Sequence, residues 1–415
     1  MTATVHIIGA GLAGLSAAVR LLSAGRQVIV HEATAFAGGR CRSYHDAALG
    51  MTIDNGNHLL LSGNHAALDY VRSIGAQGQL VGPPAAEFAF ADLPSGKRWT
   101  LRFNEGRIPF WVFDPSRRVP GTGVRDYVPL ARLLWAPAGK SVGEVVRCDG
   151  LLYQRLVEPL LLAALNIDPP LGAARLASAV IRETLALGGR ACRPLVAREG
   201  LGATLVEPAL ALLRQRGAKV LMEHQLRAIH LAGGTAAALD FGNEIVTLGT
   251  GDSVVLAVPP YAAASLVNGL DAPTEFCAIV NAHFRIDPPA GAPLILGVLG
   301  GTTQWIFAFP GRLSVTISAG DRLIDTPREQ LAAAIWGEVA RVTGLPAALP
   351  PWQIVRERRA TFAATPAQDA KRPPARTAWR NLVMAGDWTD TGLPATIEGA
   401  IRSGNYAADL IAKQP

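Results

Sequence analysis

The fold of this chain is indicated by a stretch near its N-terminus, Val5-His6-Ile7-Ile8-Gly9-Ala10-Gly11-Leu12-Ala13-Gly14. The apolar residues at its start predict a short strand, and the Ala- and Leu-rich residues that follow it predict a helix. Between them, Gly9 permits a tight turn, Gly11 lets the backbone approach a pyrophosphate, and Gly14 allows close helix packing. Leu12 and Ala13 would open the helix, where unpaired N–H groups and the helix dipole favour an anion. The stretch therefore predicts an α/β domain that binds a dinucleotide.

An acidic residue follows the second predicted strand. Residues 27–31 form this strand, and Glu32 comes directly after it. A carboxylate in this position binds a ribose hydroxyl of a dinucleotide, and it would repel a 2′-phosphate. An ordinary glycine-rich turn between a strand and a helix is the alternative interpretation of this region.

A second glycine motif, Gly38-Gly39-Arg40, lies shortly after the acid. Paired glycines can bring the backbone close to a phosphate or a ribitol, and a guanidinium forms paired hydrogen bonds with phosphate oxygens. A simple nicotinamide dehydrogenase has no need of this motif. A basic surface turn is the alternative.

The C-terminal region carries a matching pattern. An apolar run at residues 382–385 is followed by Gly386 and Asp387, then by a loop and a predicted helix start at Thr396 and Ile397. This order would place a carboxylate and free backbone N–H groups against one bound molecule. Both ends of the chain would then meet at the cofactor, so the cofactor-binding domain would be built from separated segments.

The composition limits the class of protein. A chain of 415 residues exceeds the roughly 250 to 300 residues of a single core and suggests two domains. Its hydrophobic fraction is 49% and its charged fraction only 17%, yet no uncharged apolar run reaches the about 18 residues of a spanning helix. The apolar residues near the N-terminus are accounted for by the nucleotide motif, so no signal peptide is indicated.

The charged residues and the cysteines indicate which binding partners and which metal or redox sites the chain can have. The net charge is +6, but the arginines are scattered, so no nucleic-acid-binding tract is indicated. An anionic membrane surface remains a suitable partner. The cysteines are far apart, form no C-x-x-C motif and indicate neither a zinc site nor a redox pair, which fits reduced thiols in the cytoplasm. They are Cys41, Cys148, Cys192 and Cys277.

The pattern of elements divides the chain into alternating segments. Prolines and aromatic residues interrupt the α/β pattern from about residue 96. Beyond the nucleotide motif, strands are predicted at 218–222, 253–258, 278–284, 294–298, 305–309 and 313–318, and helices at 151–165, 173–187, 205–216 and 327–343. The predicted cofactor-binding domain comprises residues 1–95, 193–260 and 376–415, and a mixed α+β substrate-binding domain comprises residues 96–192 and 261–375.

These motifs together resemble the superfamily of flavin-containing amine oxidases and phytoene desaturases. Within it, the chain is most similar to the hydroxysqualene dehydroxylase family, also called squalene-associated FAD-dependent desaturases. The resemblance implies a Rossmann-like FAD-binding domain and an inserted substrate domain, with the flavin ring facing an apolar cavity between them. The stretches that carry the closer resemblance are residues 53–61, 158–160, 163–166, 281–284 and 386–400.

The resemblance also implies contacts with FAD. Asp387 would contact the ribitol or the pyrophosphate, and the helix that starts at Thr396 and Ile397 would direct its N–H groups at the pyrimidine edge of the flavin. A helix N-terminus stabilises the negative charge of a reduced flavin, which agrees with that placement. Beyond the N-terminal motifs, the implied cofactor-binding residues are Asn55, Gly56, Asn57, Leu226, Gly386, Asp387, Thr396 and Ile397.

The reaction implied by the resemblance removes the hydroxyl group of hydroxysqualene and adds a hydride, which gives squalene for hopanoid synthesis. An allylic alcohol can ionise to a delocalised cation, and reduced FAD can supply the hydride. An acid must protonate the leaving oxygen, and a water-poor cavity must prevent its return. Asp54 and His58 are the candidate proton donors, with a turn cap and a supporting hydrogen bond as their alternatives. His283 either faces the cavity or lies in the core.

A C30 isoprenoid substrate would account for the apolar composition better than a polar amine. Such chains reside in the bilayer, so we expect a cytoplasmic protein in peripheral contact with the inner membrane face. Residues 108–113, followed by Arg117 and Arg118, and residues 130–135 combine apolar anchors with basic flanks. A buried substrate-domain core is the alternative for these stretches. The sequence does not identify the electron donor.

Other functions remain open at this point. A phytoene desaturase or carotenoid isomerase would share the cofactor site and differ in cavity length. An amine oxidase is disfavoured because no cysteine lies near the C-terminal motif for a covalent flavin link. A prenyl-binding escort protein without redox chemistry would not need the set formed by the glycine motif, Glu32, Arg40 and Asp387.

Overall fold

Two large sheets, three smaller sheets and a group of helices organise the computed structural model, which describes residues 3–413. Its strands are β1 (Thr4–Ile8), β2 (Gln27–His31), β3 (Ser43–Asp46), β4 (Met51–Asp54), β5 (Leu60–Leu61), β6 (Leu80–Val81), β7 (Glu87–Asp92), β8 (Arg98–Arg102), β9 (Pro194–Ala197), β10 (Lys219–Leu221), β11 (Ala228–Ala232), β12 (Thr235–Asp240), β13 (Ile245–Thr247), β14 (Ser253–Leu256), β15 (Phe276–Arg285), β16 (Ile295–Leu299), β17 (Trp305–Phe309), β18 (Arg312–Ile317), β19 (Trp352–Phe362) and β20 (Leu382–Met384).

The α-helices alternate with these strands and also form a separate group in the middle of the chain. They are α1 (Leu12–Ser23), α2 (His65–Ser73), α3 (Val124–Tyr127), α4 (Val142–Val145), α5 (Gly150–Leu152), α6 (Glu158–Leu165), α7 (Ala174–Glu183), α8 (Gly189–Cys192), α9 (Glu207–Gln215), α10 (Pro260–Leu266), α11 (Arg328–Thr343), α12 (Pro366–Ala370) and α13 (Ile397–Ala412). Residues Tyr153–Val157 and Gly202–Val206 are π-helical.

The first sheet carries the N-terminal motif. Its strand order is β10-β2-β1-β14-β20, and all four pairings are parallel. Strands covered by helices on both faces need nearly continuous apolar runs, and Ile7 and Val255 at its centre are fully buried. The sheet joins strands from three separated parts of the chain. The predicted α/β class, with a discontinuous Rossmann-like domain, is therefore confirmed.

The two ends of the chain pack against each other beside this sheet. Helix α13 lies along α1 so closely that a Cβ on Gly404 would be 2.1 Å from the carbonyl oxygen of Ala13. A Cβ on Gly14 would be 1.9 Å from the carbonyl oxygen of Gly9. Both glycines are therefore required by backbone packing, as we predicted for Gly14.

The second sheet has seven strands in the order β19-β15-β18-β17-β16-β7-β8. Successive side chains of a strand point to opposite faces. On one face, Val280 and Phe284 of β15 pack with Ile335 and Trp336 of α11 in a hydrophobic core. On the other face, Ile279 and Asn281 of the same strand line a large cavity.

Most predicted elements agree with the structure within a few residues, but one domain boundary does not. The boundary placed at residue 95 falls in the turn of the β7–β8 hairpin. Strand β7 also pairs in parallel with β16, so residues 87–92 belong to the second sheet. Sheet membership depends on partners distant in sequence, which the local pattern does not reveal. Residues 1, 2, 414 and 415, at the limits of the predicted cofactor-binding segments, lie outside the described residues.

Candidate active site

A cavity of about 1070 Å³ lies between the two sheets. It brings together most of the residues that the sequence motifs selected. The predicted site residues that line it are Gly9, Gly11, Leu12, Ala13, Glu32, Gly38, Gly39, Arg40, Asn55, Gly56, Asn57, His58, Leu226, Gly386, Asp387, Thr396 and Ile397. Gly14 and Asp54 are not part of this lining.

The glycines of the N-terminal motif have different physical roles. Gly9 has a φ of 106°, and a Cβ there would be 2.5 Å from the carbonyl oxygen of Ala257. By contrast, a Cβ on Gly11 would meet no atom within 4 Å, and its φ of −72° suits any residue. Gly11 is therefore not required by the packing of the protein. The open space beside it, at the N-terminus of α1, is where an anionic group can approach the backbone.

Glu32 closes the same end of the cavity. Its Oε2 accepts a hydrogen bond from the backbone N–H of Ala10 at 2.8 Å, and its Oε1 accepts one from Thr34 at 3.0 Å. These bonds hold the carboxylate at the end of β2, beside the glycine motif. This is the position from which an acid reaches a ribose.

Arg40 and Asp387 form an ion pair that joins the two halves of the cofactor pattern. Nη2 of Arg40 lies 2.7 Å and 2.8 Å from the two carboxylate oxygens of Asp387. Nη1 of Arg40 donates to the carbonyl oxygen of Ala360 in β19. The pair therefore links both ends of the chain to the second sheet at the cavity wall.

The N-terminus of α13 also faces the cavity. The side chain of Thr396 caps it by accepting a hydrogen bond from the N–H of Gly399 at 3.0 Å. Glu398 accepts from the backbone N–H groups of Ala66 and Ala67 in α2 and pairs with Arg402. These contacts hold the start of α13 in place. They give Glu398 a structural role rather than that of a proton donor.

A buried arginine that the sequence motifs did not reveal supports the loop before α13. The side chain of Arg372 is fully buried and donates hydrogen bonds to the carbonyl oxygens of Asp387 and Thr389 and to Oγ1 of Thr391. It also pairs with Asp369 at 3.2 Å. Burial lowers the pKa of Arg372. No local motif marks this residue, because its partners are carbonyl groups of a loop further along the chain.

Polar side chains from both domains meet at one part of the cavity. The amide of Asn57 donates to Oγ1 of Thr316 at 3.2 Å, and Thr316 donates to Oδ1 of Asn281 at 2.8 Å. Asn281 in turn donates to the carbonyl oxygen of Asn55 at 3.3 Å. Among residues 3–413, Oδ1 of Asn57 is buried without a hydrogen-bond partner. A Cβ on Gly56 would be 3.0 Å from Nδ2 of Asn281, so the chain approaches the sheet closely here.

Much of the rest of the cavity is apolar. Its walls in the second sheet and the central helices consist largely of aromatic and aliphatic side chains, which suit a hydrocarbon ligand. They include Phe88, Phe90, Leu101, Phe103, Leu156, Leu160, Trp305 and Phe307.

The two candidate proton donors occupy different environments. Asp54 is only 3% exposed, and its Oδ1 accepts hydrogen bonds from Ser43 and from the N–H of Leu201. Burial raises the pKa of Asp54, but the side chain lies outside the cavity lining. This geometry does not support Asp54 as a proton donor. It supports the structural alternative, because the carboxylate joins β4 to the segment before α9.

His58 lines the cavity, and its imidazole makes no hydrogen bond to any other described residue. Burial, with a smaller effect of the Arg40 charge, lowers the pKa of His58 to about 4. The imidazole is therefore uncharged at neutral pH. In that form it can donate or accept a hydrogen bond but is a poor proton donor.

Of the two predicted positions of His283, in the cavity or in the core, the structure has the one in the core. It is fully buried, and its Nδ1 lies 2.8 Å from Oγ of Ser314. Burial, assisted by the charge of Arg312, lowers the pKa of His283 to about 3. It is not among the residues that line the cavity.

Neither Cys41 nor a metal cluster adds a reactive group to the cavity as described for residues 3–413. Cys41 lies beside the cavity, but burial raises its pKa to about 12. Within those residues, no group of three or more His, Cys, Asp and Glu side chains could hold a metal ion.

Known proteins resemble this chain over nearly its whole length. The family model of flavin-containing amine oxidoreductases matches residues 12–412. A hydroxysqualene dehydroxylase from Rhodopseudomonas palustris is 63% identical over 412 residues, which cover 99% of each protein. Those from Sinorhizobium fredii and Zymomonas mobilis are 58% and 48% identical, and the matches cover 99% and 98% of this chain and 98% of each relative.

Solved structures share the fold. Cyclohexylamine oxidase from Brevibacterium oxydans has a TM-score of 0.74 at 18% identity, with 100% of this chain and 99% of that chain covered. A putrescine oxidase has a TM-score of 0.72 at 16% identity, with both chains covered completely. At this level of identity the similarity establishes the architecture alone.

Proposed function

The chain belongs to the flavin-containing amine oxidoreductases and, among them, to the hydroxysqualene dehydroxylases, and we propose from this membership that it converts hydroxysqualene to squalene. Family membership identifies it as an FAD-dependent oxidoreductase. The observation that carries the substrate assignment is the identity of 48% to 63% with three such dehydroxylases over 98% or more of the chain. The reaction would be a reductive dehydroxylation in squalene and hopanoid synthesis.

The residues of the cavity fit FAD. The open space at Gly11 suits the pyrophosphate, and Glu32 suits the ribose of the adenosine. Arg40 and Asp387 would lie near the ribitol, and the N–H groups at the start of α13 would meet the flavin ring. The buried, unpartnered Oδ1 of Asn57 is available to accept a hydrogen bond from a ligand. When bound and reduced, FAD supplies the hydride.

The remaining residues of the cavity suit the substrate. The apolar walls would bind the hydrocarbon chain and exclude water, which would otherwise return to the allylic carbon. The polar part near Asn57 and Thr316 would receive the single hydroxyl group. We assign His58 a hydrogen bond to that hydroxyl or to the flavin rather than proton donation, because its imidazole is uncharged at neutral pH.

The test is a single turnover without oxygen. Enzyme whose flavin has been reduced by light is mixed with hydroxysqualene, and oxidised flavin and squalene should appear together. Squalene added in place of hydroxysqualene is the control and should cause no reoxidation. Reoxidation no faster than without substrate would contradict the proposal. A purified protein that holds no flavin would instead favour the prenyl-binding escort function.

Peripheral membrane contact is part of the proposal. No helix in residues 3–413 is long and apolar enough to cross a bilayer. Large apolar side chains are nevertheless exposed in the two predicted stretches, with Phe113 63% and Trp135 77% accessible. Trp111 is only 8% exposed and packs edge-on against Tyr127 at 5.4 Å, so this anchor of the sequence-based hypothesis lies in the core. Ile108 and Phe110 of the first stretch, and Val128 just before the second, are also exposed.

Flotation with vesicles that contain anionic lipid tests the membrane contact. The double variant Phe113→Ser with Trp135→Ser should float less, because exposed aromatic side chains insert at the interface. Tyr406→Ser is the matched control, since Tyr406 is 53% exposed on α13, outside these stretches. Equal recovery of the double variant and the wild type would remove this part of the proposal.

A further inference from the structure

The cavity contains one carboxyl group with an uncommitted oxygen atom. Among the described residues, the carboxyl side chains that line the cavity are Glu32, Glu183, Glu357, Asp387 and Glu398. In Glu32, both oxygens accept hydrogen bonds from the protein. The same is true of Glu183 and Asp387, which pair with arginines, and of Glu398, which binds backbone N–H groups and an arginine.

Glu357 differs from these four. Its Oε2 accepts a hydrogen bond from Nδ2 of Asn55 at 3.1 Å. Within residues 3–413, its Oε1 has no hydrogen-bond partner, and no cation lies within ion-pair distance. The sequence motifs did not select Glu357, because it belongs to none of them.

The position of Glu357 is in the polar part of the cavity. On β19 it pairs directly with Ile279 of β15, and Asn281, two residues further along β15, lies on the same face of the sheet. Its hydrogen-bond partner Asn55 is one of the implied cofactor-binding residues, so Glu357 lies toward the expected cofactor. A carboxyl group therefore stands where the apolar walls meet the expected flavin.

Four other titratable side chains of the lining are poor proton donors at neutral pH. Burial raises the pKa of Cys41 and of Cys192 to about 12. Burial lowers the pKa of His58 to about 4 and that of His31 to about 3. At neutral pH, thiols of this kind do not release a proton readily, and imidazoles of this kind are uncharged and therefore weak acids.

We propose that Glu357 is the proton donor to the departing hydroxyl group, an assignment that rests on the proposed dehydroxylation. The C–O bond breaks with its electron pair on oxygen, the oxygen takes the proton of the Glu357 carboxyl, and water leaves. The allylic carbon receives the hydride that reduced FAD supplies. The carboxylate faces the transient carbon cation, whose charge it stabilises, and solvent returns the proton before the next turnover. Asn55 orients the carboxyl through Oε2 and leaves Oε1 to carry the proton.

The variant Glu357→Gln tests this assignment. An amide oxygen can still accept the hydrogen bond from Asn55, but the side chain has no acidic proton. In the single-turnover assay, flavin reoxidation by hydroxysqualene should slow by about 10²- to 10⁴-fold, the usual contribution of a general acid. FAD content and melting temperature should match the wild type. Glu329→Gln, on the outer helix α11, is the matched control and should react normally.

A substrate with a better leaving group separates acid catalysis from a structural role. The acetate ester of hydroxysqualene departs as a carboxylate and needs little protonation. Glu357→Gln should therefore use the ester at nearly the wild-type rate. A normal rate of Glu357→Gln with the alcohol would overturn the assignment, and so would an equal loss with alcohol and ester. Failure of the wild type itself to oxidise its flavin with hydroxysqualene would instead refute the proposed function.

Discussion

Acid should destabilise the folded protein through His283, which is buried and uncharged. The pKa of this side chain is lowered from 6.5 to about 3 in the folded state, first by burial and then by the charge of Arg312. Between these two values the unfolded chain binds a proton that the folded chain does not. The contribution to stability is therefore complete above pH 6.5 and is lost as the pH falls towards 3.

The size of the effect follows from the two pKa values. Each pH unit below the unfolded value costs about 1.36 kcal/mol, so this one residue should reduce the free energy of unfolding by about 2 kcal/mol at about pH 5. His283→Asn removes the titrating group and keeps a hydrogen-bonding atom for Ser314. On acidification to about pH 5, the free energy of unfolding of the variant should fall by about 2 kcal/mol less than that of the wild type, whatever the stability of the variant at neutral pH.

Urea unfolding at about pH 7.5 and about pH 5, followed by tryptophan fluorescence, measures this difference. His45→Asn is the control, because His45 is exposed, and it should keep the acid sensitivity of the wild type. An acid-induced loss in His283→Asn within about 0.5 kcal/mol of the wild-type loss would refute the reasoning.

Three further predictions concern the cofactor region. Gly11→Ala should fold with a normal melting temperature but lose FAD, because its Cβ meets no protein atom and fills the space proposed for the pyrophosphate. Gly14→Ala should not accumulate as folded protein, because its Cβ would lie 1.9 Å from a carbonyl oxygen. Equal effects of the two variants on melting temperature and FAD content would contradict this. Arg372→Met should lower the free energy of unfolding by about 3 to 5 kcal/mol and reduce FAD content, because buried loop carbonyls lose their hydrogen-bond donor. Arg147, whose side chain is 88% exposed, is the control, and Arg147→Met should change neither quantity. Glu32→Gln should weaken FAD binding by about 10- to 100-fold in a fluorescence titration through loss of a charge-assisted hydrogen bond, and unchanged affinity would show that the ribose binds elsewhere.

The sequence predicts backbone geometry around the cavity well where that geometry is local. The turn at Gly9, the close packing at Gly14 and the helix cap at Thr396 each depend on residues a few positions apart. Such motifs reveal geometry directly, because a short segment must take one conformation to fulfil them. The strand alternation that places Ile279 and Asn281 on one face is local in the same way.

Features that depend on distant residues are less predictable. The role of Arg372 follows from hydrogen-bond partners that lie further along the chain. The role of Glu357 follows from its contact with Asn55, which is distant in sequence, and from an Oε1 atom without a partner among the described residues. The sequence leaves Asp54 as a proton-donor candidate or a structural residue, and its hydrogen bonds to Ser43 and Leu201 hold it outside the cavity lining. The membership of β7 in the second sheet is likewise decided by β16, far along the chain.

The packing of α13 on α1 has a consequence for how the protein is made. Ser16 donates a hydrogen bond to the carbonyl oxygen of Ile401, 385 positions later in the chain. During synthesis, the face of α1 that packs on α13 must therefore wait until the residues of α13 have left the ribosome. Folds that depend on such long-range contacts form slowly and expose apolar surface in the meantime. We expect FAD to be captured only after synthesis has passed α13, and chaperone supply to limit the yield of active enzyme.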